Sequence, residues 1–360
     1  MSKRYIIPIF VPHYGCPHDC IFCNQKKITN ISTTTTPKDV EMIIEKYLSY
    51  FWKDLTIEVA FYGGSFTAID MDIQSQLLEI PYKYKEKGII HEIRLSTRPD
   101  AINEEILDNL KKFKVDTIEL GVQSLDEEVL VASERDHSVL DVYEAVSLIK
   151  SYGFNLGLQM MVGLPLDNPE KSLFTAKEFI KMSPDLVRIY PTLVIKDTYL
   201  AKLYNSGEYK ALSVEEAVDI CTKLLVLFNL NNINVIRVGL QPTENIQLGM
   251  DVIAGPFHPA FRQLVESNIY KLLLEDYFSS RRYITKGKEI KITANKSAIS
   301  NISGQKSSNI KYLKNRYEFS KIKVFPDDNL IDEIIISLDN NTETLNLRNW
   351  MKEYIAKLDY

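Results

Sequence analysis

The sequence predicts an α/β protein built on a parallel sheet, followed by a small α+β domain toward its C-terminal end. Short runs rich in Ile, Leu, Val and Tyr alternate with stretches of helical spacing from Tyr5 to about Gly239, the pattern of repeated βαβ units. Glycine, proline, serine and threonine gather directly after those runs, where parallel α/β proteins keep the loops that carry chemistry. Beyond Gly239 the alternation stops and another element order begins.

Strand-like runs fall at 5–10, 56–62, 91–96, 116–121, 155–162, 185–190 and 234–238. Helix-like stretches fall at 37–51, 70–87, 103–113, 138–152, 169–182 and 213–229. Thr36-Pro37 puts a capping residue before a proline at a first helical position, and Ser213 is followed three residues on by Glu216, both helix-start signals. Six or seven repeats fit a curved or partly closed (β/α) barrel, although the periodicity is equally that of a doubly wound sheet. The unusual sequences that follow successive strands read as one rim. They are the cysteine loop after the first, Gly63-Gly64-Ser65-Phe66-Thr67 after the second, Ser96-Thr97-Arg98-Pro99-Asp100, Gly121-Val122-Gln123-Ser124 and Met161-Val162-Gly163-Leu164-Pro165.

After Gly239, residues 240–262 include Ala254-Gly255-Pro256-Phe257-His258-Pro259, a rigid linker or a lid. A helix is expected at about 263–277. Then come a strand at 290–294, a helix, Gly304-Gln305-Lys306-Ser307, a helix at 308–317, strands at 320–325 and 332–338, and a helix at 345–358. The expected domains are 1–240, a connector with its helix at 241–285, and a small basic domain at 286–360.

The 45% apolar and 25% charged fractions are those of an ordinary globular chain. No apolar run reaches the roughly 18 residues of a membrane span, and the start, Met1-Ser2-Lys3-Arg4-Tyr5 with Pro8 soon after, does not read as a signal peptide. Three of the 4 cysteines lie within eight residues, so the chain is not a disulfide scaffold and a reduced, cytoplasmic setting is expected. Cys221, on a predicted amphipathic helix, reads as a small core residue. The net charge of −5 hides an asymmetry: residues 281–323 hold twelve Lys or Arg against two Glu and no Asp. One segment is built to meet an anion.

Cys16-Pro17-His18-Asp19-Cys20-Ile21-Phe22-Cys23 has the spacing CxxxCxxC. Three thiolates on one loop can hold three corners of a 4Fe–4S cube, leaving the fourth iron open to a small molecule. A zinc site of Cys16, Cys20 and Cys23 with His13 or His18 is the competing assignment.

CxxxCxxC with Phe22 before the last cysteine, after the first strand of a parallel α/β domain, resembles the radical SAM superfamily. Phe61-Tyr62-Gly63-Gly64-Ser65-Phe66 stands where that family has its two-glycine motif, with Ser65 where many members have Glu. Ser96-Thr97-Arg98-Pro99-Asp100, Glu119-Leu120-Gly121-Val122-Gln123-Ser124, Arg135-Asp136-His137 and Val187-Arg188-Ile189-Tyr190-Pro191 resemble the branch of the catalytic subunit of Elongator. The resemblance spans about 5–240 and implies a partial (β/α) barrel. It also implies a 4Fe–4S cluster on Cys16, Cys20 and Cys23, and reductive cleavage of S-adenosylmethionine to a 5′-deoxyadenosyl radical. Gly63, Gly64 and Ser65 would meet the SAM amino group. Gln123 and Arg135 would hold its ribose or carboxylate, and Thr97 and Arg98 would line the pocket. Ordinary readings stand beside these: Arg98 as a surface cation, Gln123 as a strand-end cap, His137 as a capping neighbour of Ser138, Tyr190 as an inward barrel residue. An electron donor such as flavodoxin or ferredoxin is a further implied partner. No glycine-rich acetyl-CoA loop follows residue 240, so Elongator's acetyl transfer is not carried over.

The element order of 290–358 resembles a type I KH domain. Gly304-Gln305-Lys306-Ser307 stands in place of its GxxG loop, with Ser307 for the second glycine. That resemblance implies RNA binding through Gly304, Gln305, Lys306, Lys311 and Lys314, against a small cap with merely solvated lysines. The expected function is a radical SAM enzyme modifying tRNA or rRNA. The alternatives are a porphyrin-handling enzyme resembling oxygen-independent coproporphyrinogen III oxidase and a non-catalytic zinc or RNA-binding protein.

Overall fold

The computed structural model describes residues 3–11, 20–24, 35–50, 55–240, 246–279 and 285–358. By its internal contacts the chain forms two compact units, Met1–Ser213 with Ile233–Phe257, and Val214–Asn232 with His258–Tyr360.

The first unit is the expected βα repeat. Its strands are β1 (Lys3–Phe10), β2 (Leu55–Tyr62), β3 (Glu92–Thr97), β4 (Thr117–Gln123), β5 (Asn155–Val162), β6 (Leu186–Pro191), a two-residue β7 (Val194–Ile195), β8 (Asn234–Val238) and β9 (Val252–Ala254). Its helices are α1 (Pro37–Leu48), α2 (Met71–Glu86), α3 (Glu104–Lys112), α4 (Glu127–Ala132), α5 (Val139–Ser151), α6 (Pro169–Met182) and α7 (Tyr199–Ser206). Caps fix where they start. Thr36 and Ser138 form full capping boxes with Asp39 and Asp141, while Asn103, Asp126 and Asn168 each accept from an amide in the first turn. The short α4 and α7 and the β7–β9 pair were not anticipated, because two or three residues of strand and one or two turns of helix carry too little period to read.

The sheet runs β1-β2-β3-β4-β5-β6-β8, with every pairing parallel. Residues of both edge strands, Phe10 on β1 and Ile236 and Arg237 on β8, line the same cavity as the middle strands. The sheet therefore curls into a half-barrel rather than lying open as a doubly wound sheet. Alternation divides its two sides. Ile7, Ile9, Val59, Phe61, Ile93, Leu95, Ile118, Leu156, Leu158, Val187 and Ile189 are buried on the outer side, each contributing about 1.5–3 kcal/mol. The inner side carries charged and amide side chains, Glu119, Gln159 and Arg188 among them, together with apolar ones such as Ile6, Phe10 and Met161.

The second unit contains α8 (Val214–Leu230), α9 (Phe261–Ser279), β10 (Glu289–Ala294), α10 (Ile299–Ser303), α11 (Ser308–Arg316), β11 (Lys321–Pro326), β12 (Glu333–Leu338), β13 (Asn341–Asn346) and α12 (Leu347–Ala356). Its sheet order is β11-β10-β12-β13, with β10 and β11 parallel and the other pairs antiparallel. Phe278 packs on Tyr317 and Phe319 with ring centroids 5.5 and 5.1 Å apart.

This division differs from the sequence boundaries at α8, expected with the barrel. Arg348 Nη2 donates to Leu230 O at 3.1 Å and Asn268 Nδ2 to Thr222 Oγ1 at 3.1 Å, tying that helix to α12 and α9. The strand–helix–turn–helix–strand–strand–helix order gains an additional strand, β13. Its residues, Asn341-Thr342-Glu343-Thr344-Leu345-Asn346, are too polar to signal a strand, and hairpin pairing with β12 supplies what pattern did not. The Gly304 turn is present. Gly304 has φ +73, and a Cβ there would lie 2.5 Å from Ser308 Oγ and 2.8 Å from Asn309 N, so the position requires glycine.

A buried glycine also fixes the barrel wall. A Cβ at Gly157 would lie 2.7 Å from both Glu119 Cγ and Leu186 Cδ1, and Glu119 cannot yield because two arginines hold it. Gly157→Ala is expected to lower stability by about 1–3 kcal/mol, read as a reduced midpoint in urea unfolding with an unchanged slope.

Candidate active site in the barrel

The inner side of the half-barrel encloses a cavity of about 770 Å³. Cys20, Phe22 and Cys23 line it from the cysteine loop, and Gly63 and Gly64 from the turn after β2. Thr97 and Arg98 follow β3, Gly121 and Gln123 end β4, and Arg135 follows α4. The predicted cofactor residues thus converge from separate strand ends, with one correction. Ser65 is fully buried and is not part of the cavity wall.

Its hydroxyl is spent inside the protein. Thr67 Oγ1 donates to Ala101 O at 2.5 Å, so its 2.5 Å contact with Thr97 Oγ1 takes the Thr97 proton. The 3.0 Å contact between Ser65 and Thr97 then takes the Ser65 proton, and Ser65 Oγ accepts from Arg98 N at 3.2 Å. Every hydroxyl proton in this chain is committed. It pins the glycine loop to the β3 loop, and ligand contacts from Gly63 and Gly64 come through backbone, with Gly63 at φ +100.

Arg98 donates to Asp100 from Nε at 2.9 Å and from Nη2 to Arg135 O at 2.9 Å; it is buried, not a surface cation. Arg135 Nη2 donates to Gly121 O, and its Nη1 donates to Cys20 Sγ at 3.3 Å. Its Nε is buried with no hydrogen-bond partner among the described residues. Gln123, at φ +73, accepts from Gln159 Nε2 at 3.1 Å. His137 is buried with neither ring nitrogen hydrogen-bonded among the described residues. Burial, with Arg135 and Arg98 nearby, pushes its pKa down to about 3, so it is neutral at physiological pH.

The floor is a ladder of charges across four strands. Glu58 accepts from Arg94 Nε at 2.6 Å and Nη2 at 2.9 Å, while Arg94 Nη1 donates to Glu119 Oε1 at 2.6 Å. Glu119 Oε2 lies 2.7 Å from Arg188 Nε. Arg188 then donates to Tyr62 Oη at 3.0 Å and Tyr190 Oη at 3.1 Å. Burial pushes the Glu58 carboxyl and the Tyr62 phenol above their ordinary values, and the Glu119 charge holds Arg188 protonated. Two arginines balance two glutamates. Since a guanidinium only donates, both phenol oxygens accept from it, which leaves each phenol proton for another acceptor.

Sequence reasoning quoted Glu119, Arg188 and Tyr190 but passed over Glu58, Tyr62, Arg94 and Gln159 as site residues. The available signal was a charged or amide side chain at alternate positions of otherwise apolar strands, as in Ile93-Arg94-Leu95.

Cys20 is buried and Cys23 half-buried, on a turn closed by Cys23 N to Cys20 O at 2.9 Å. Cys16, His13 and His18 lie outside the described residues, so the described donors are two thiols. Thiol donors facing an arginine N–H fit a thiolate-ligated metal centre. The unpartnered Arg135 Nε and the open glycine backbone fit an anion-bearing cofactor beside it. Cys221 is fully buried and burial pushes its thiol up, as expected of a core residue.

Fold and site define a parallel half-barrel protein with a thiol-bearing turn at the rim of a cavity that mixes apolar walls with buried charges. The profile described as the Radical SAM superfamily matches residues 10–177, and that of the Radical_SAM C-terminal domain matches 184–271. The chain belongs to the radical SAM superfamily, whose members use a 4Fe–4S cluster and S-adenosylmethionine. It is 33% identical over 187 residues to the tRNA uridine(34) acetyltransferase of Methanocaldococcus infernus, covering 46% of this chain and 34% of that protein. It is 36% identical over 139 residues to Elongator complex protein 3 of Saccharomyces cerevisiae, covering 38% of this chain and 25% of that protein. The chain thus spans about a quarter to a third of the length of these two curated relatives. The solved structure of N-terminally truncated Methanocaldococcus infernus Elp3 shares the fold, with a TM-score of 0.56 at 22% identity over 78% of this chain and 64% of that one. Among the described residues no helix is long and apolar enough to cross a membrane.

A His137 pKa near 3 in the folded chain, against 6.5 ordinarily, means the unfolded state binds a proton that the folded state refuses as pH falls below about 6.5. Stability from this group is present above that pH and lost below it. Between pH 7 and pH 5 wild type is expected to lose about 2 kcal/mol more than His137→Gln, measured as the difference in urea midpoints at the two pH values.

Proposed function

We propose that this chain is a radical SAM enzyme that holds a 4Fe–4S cluster on Cys16, Cys20 and Cys23, cleaves S-adenosylmethionine reductively and acts on RNA. The observation that carries it is the meeting of the cysteine turn, the open glycine loop and Arg135 at the rim of one cavity. When bound, the cofactors supply an electron and a 5′-deoxyadenosyl radical, with a flavodoxin or ferredoxin as electron source. The protein's own part is positioning. Gly63 and Gly64 offer backbone to the SAM amino group, and Arg135 and Gln123 offer donors to its ribose or carboxylate. Arg98 and Thr97 hold those loops in register.

For the substrate, the charge-balanced floor favours an uncharged group that accepts hydrogen bonds from Tyr62 and Tyr190. The propionates of a porphyrin would find no unpaired cation on that ladder. RNA is favoured by the tRNA-modifying relatives and by the cationic segment 281–323. Gly304, Gln305 and Lys306 form the turn before α11, which carries Lys311 and Lys314; these are the proposed backbone contacts in a KH-like module. A cytoplasmic setting follows from an RNA substrate.

The test is anaerobic. Iron- and sulfide-reconstituted protein with dithionite and SAM is expected to form 5′-deoxyadenosine, at least 100-fold less when Cys16, Cys20 and Cys23 are Ala. Stimulation by bulk cellular RNA is expected. Absence of 5′-deoxyadenosine from protein with a full cluster would refute the enzyme reading. The lysines have a separate prediction. Changing Lys306, Lys311 and Lys314 to Glu is expected to weaken RNA binding at least tenfold and to flatten its salt dependence by about 0.7 per lost phosphate contact. Unaltered affinity would remove this surface from the proposal.

A further inference from the structure

We propose that Arg135 tunes the metal centre: its guanidinium donates to Cys20 Sγ and thereby raises the reduction potential of the cluster. This rests on the cluster reading above and gives one side chain within it a role beyond gripping SAM.

Arg94, Arg98 and Arg135 are buried and Arg188 is half-buried, and their partners differ. Arg94 pairs with Glu58 and Glu119, Arg188 with Glu119, and Arg98 with Asp100. Among the described residues Arg135 has no carboxylate partner. Its Nη1 lies 3.3 Å from Cys20 Sγ, with the two residues 6% and 7% exposed. A buried cation whose neighbour is a metal-ligating sulfur has that sulfur as its counter-charge.

The backbone is arranged to keep it there. Glu134 and Asp136, on either side of Arg135, have φ +49 and +55, a left-handed conformation that is unfavourable for a non-glycine residue. Arg98 Nη2 holds the Arg135 carbonyl at 2.9 Å, and Ile21 N donates to Ser133 O at 3.3 Å. The segment is thus bonded to the cysteine turn beside the sulfur contact. A Cβ at Gly121 would lie 3.0 Å from Arg135 Nη2, so glycine there leaves room for the guanidinium. The neutral His137 adds no second positive charge.

Reduction adds one negative charge to the cluster and its thiolates. An N–H···S bond from a cation stabilises that charge more than the oxidised state, in a site where burial limits screening. Removing it makes reduction harder. A residue serving only to hold SAM would leave the SAM-free potential unchanged.

The experiment uses the reconstituted full chain without SAM, with iron and sulfide quantified, in an EPR-monitored redox titration. Arg135→Gln is expected to weaken reduction at least tenfold, about 59 mV more negative for a one-electron couple. Arg135→Lys, which keeps the charge and loses the fork, is expected to shift less. A potential equal to wild type in Arg135→Gln with a full cluster overturns the inference and leaves the cluster reading intact. If Arg135→Gln does not retain the cluster, wild type decides. With guanidinium-¹⁵N arginine, the reduced cluster is expected to give a ¹⁵N coupling in pulsed EPR, and its absence overturns the inference. Wild type that binds zinc, or no iron and sulfide, overturns both.

Discussion

Glu119 stands between Arg94 on the adjacent strand β3 and Arg188 on β6, one strand beyond β5, and the open interior of the barrel depends on that placement. Taking a carboxylate or guanidinium out of water costs several kcal/mol, which an attraction recovers only when the geometry satisfies every donor. The ladder comes close to that condition: Arg94 is bidentate to Glu58, Glu119 receives both arginines, and Arg188 finishes on two phenols, its Nε paired with Glu119 by charge rather than by a hydrogen bond. Apolar side chains at these positions would fill the half-barrel as a core. Charges that must each keep a partner leave a walled polar space instead.

Above that floor, the rim is built from loops that stabilise one another. The Ser65–Thr67–Thr97 hydroxyls join the β2 and β3 loops, Arg98 joins the β3 loop to the segment after α4, and Arg135 with Ser133 joins that segment to the cysteine turn. Ile21 packs with Val194, Leu200 and Tyr209, and its carbonyl accepts from Leu200 N at 2.8 Å. The cysteine turn is therefore held from both sides by elements far away in sequence. The buried hydroxyl of Ser65 completes that chain, meeting Thr97 Oγ1 and accepting from Arg98 N.

The second unit has its own logic. Its four-stranded sheet and short helices surround an aromatic cluster, and the Gly304 turn is enforced by close contact with Ser308 and Asn309. Lys306 and Ser307 both take positive φ. Ser307, where a second glycine was expected from the resemblance, thus adopts the backbone conformation that glycine adopts most readily, at a modest cost.

Much of the fold was legible because parallel strands and amphipathic helices announce themselves by period. The strands of the barrel fall within a residue or two of where spacing puts them, and so do its long helices except the first, which ends three residues early at Leu48, since burial on one side imposes the pattern directly. The Gly63-Gly64 turn was legible for a similar reason: short-range geometry demands particular residues, here a glycine at positive φ. What the sequence could not decide was which polar residues meet. Glu58, Arg94, Glu119 and Arg188 are spread over 130 positions, and each looks like an isolated charge in an apolar strand until the curl and register of the sheet bring them together. Ser65 shows the converse, a motif position whose side chain tertiary contacts consumed. Local pattern determined the elements. The curvature of the sheet decided the site, because partners for buried charges are chosen by distance in space and not along the chain.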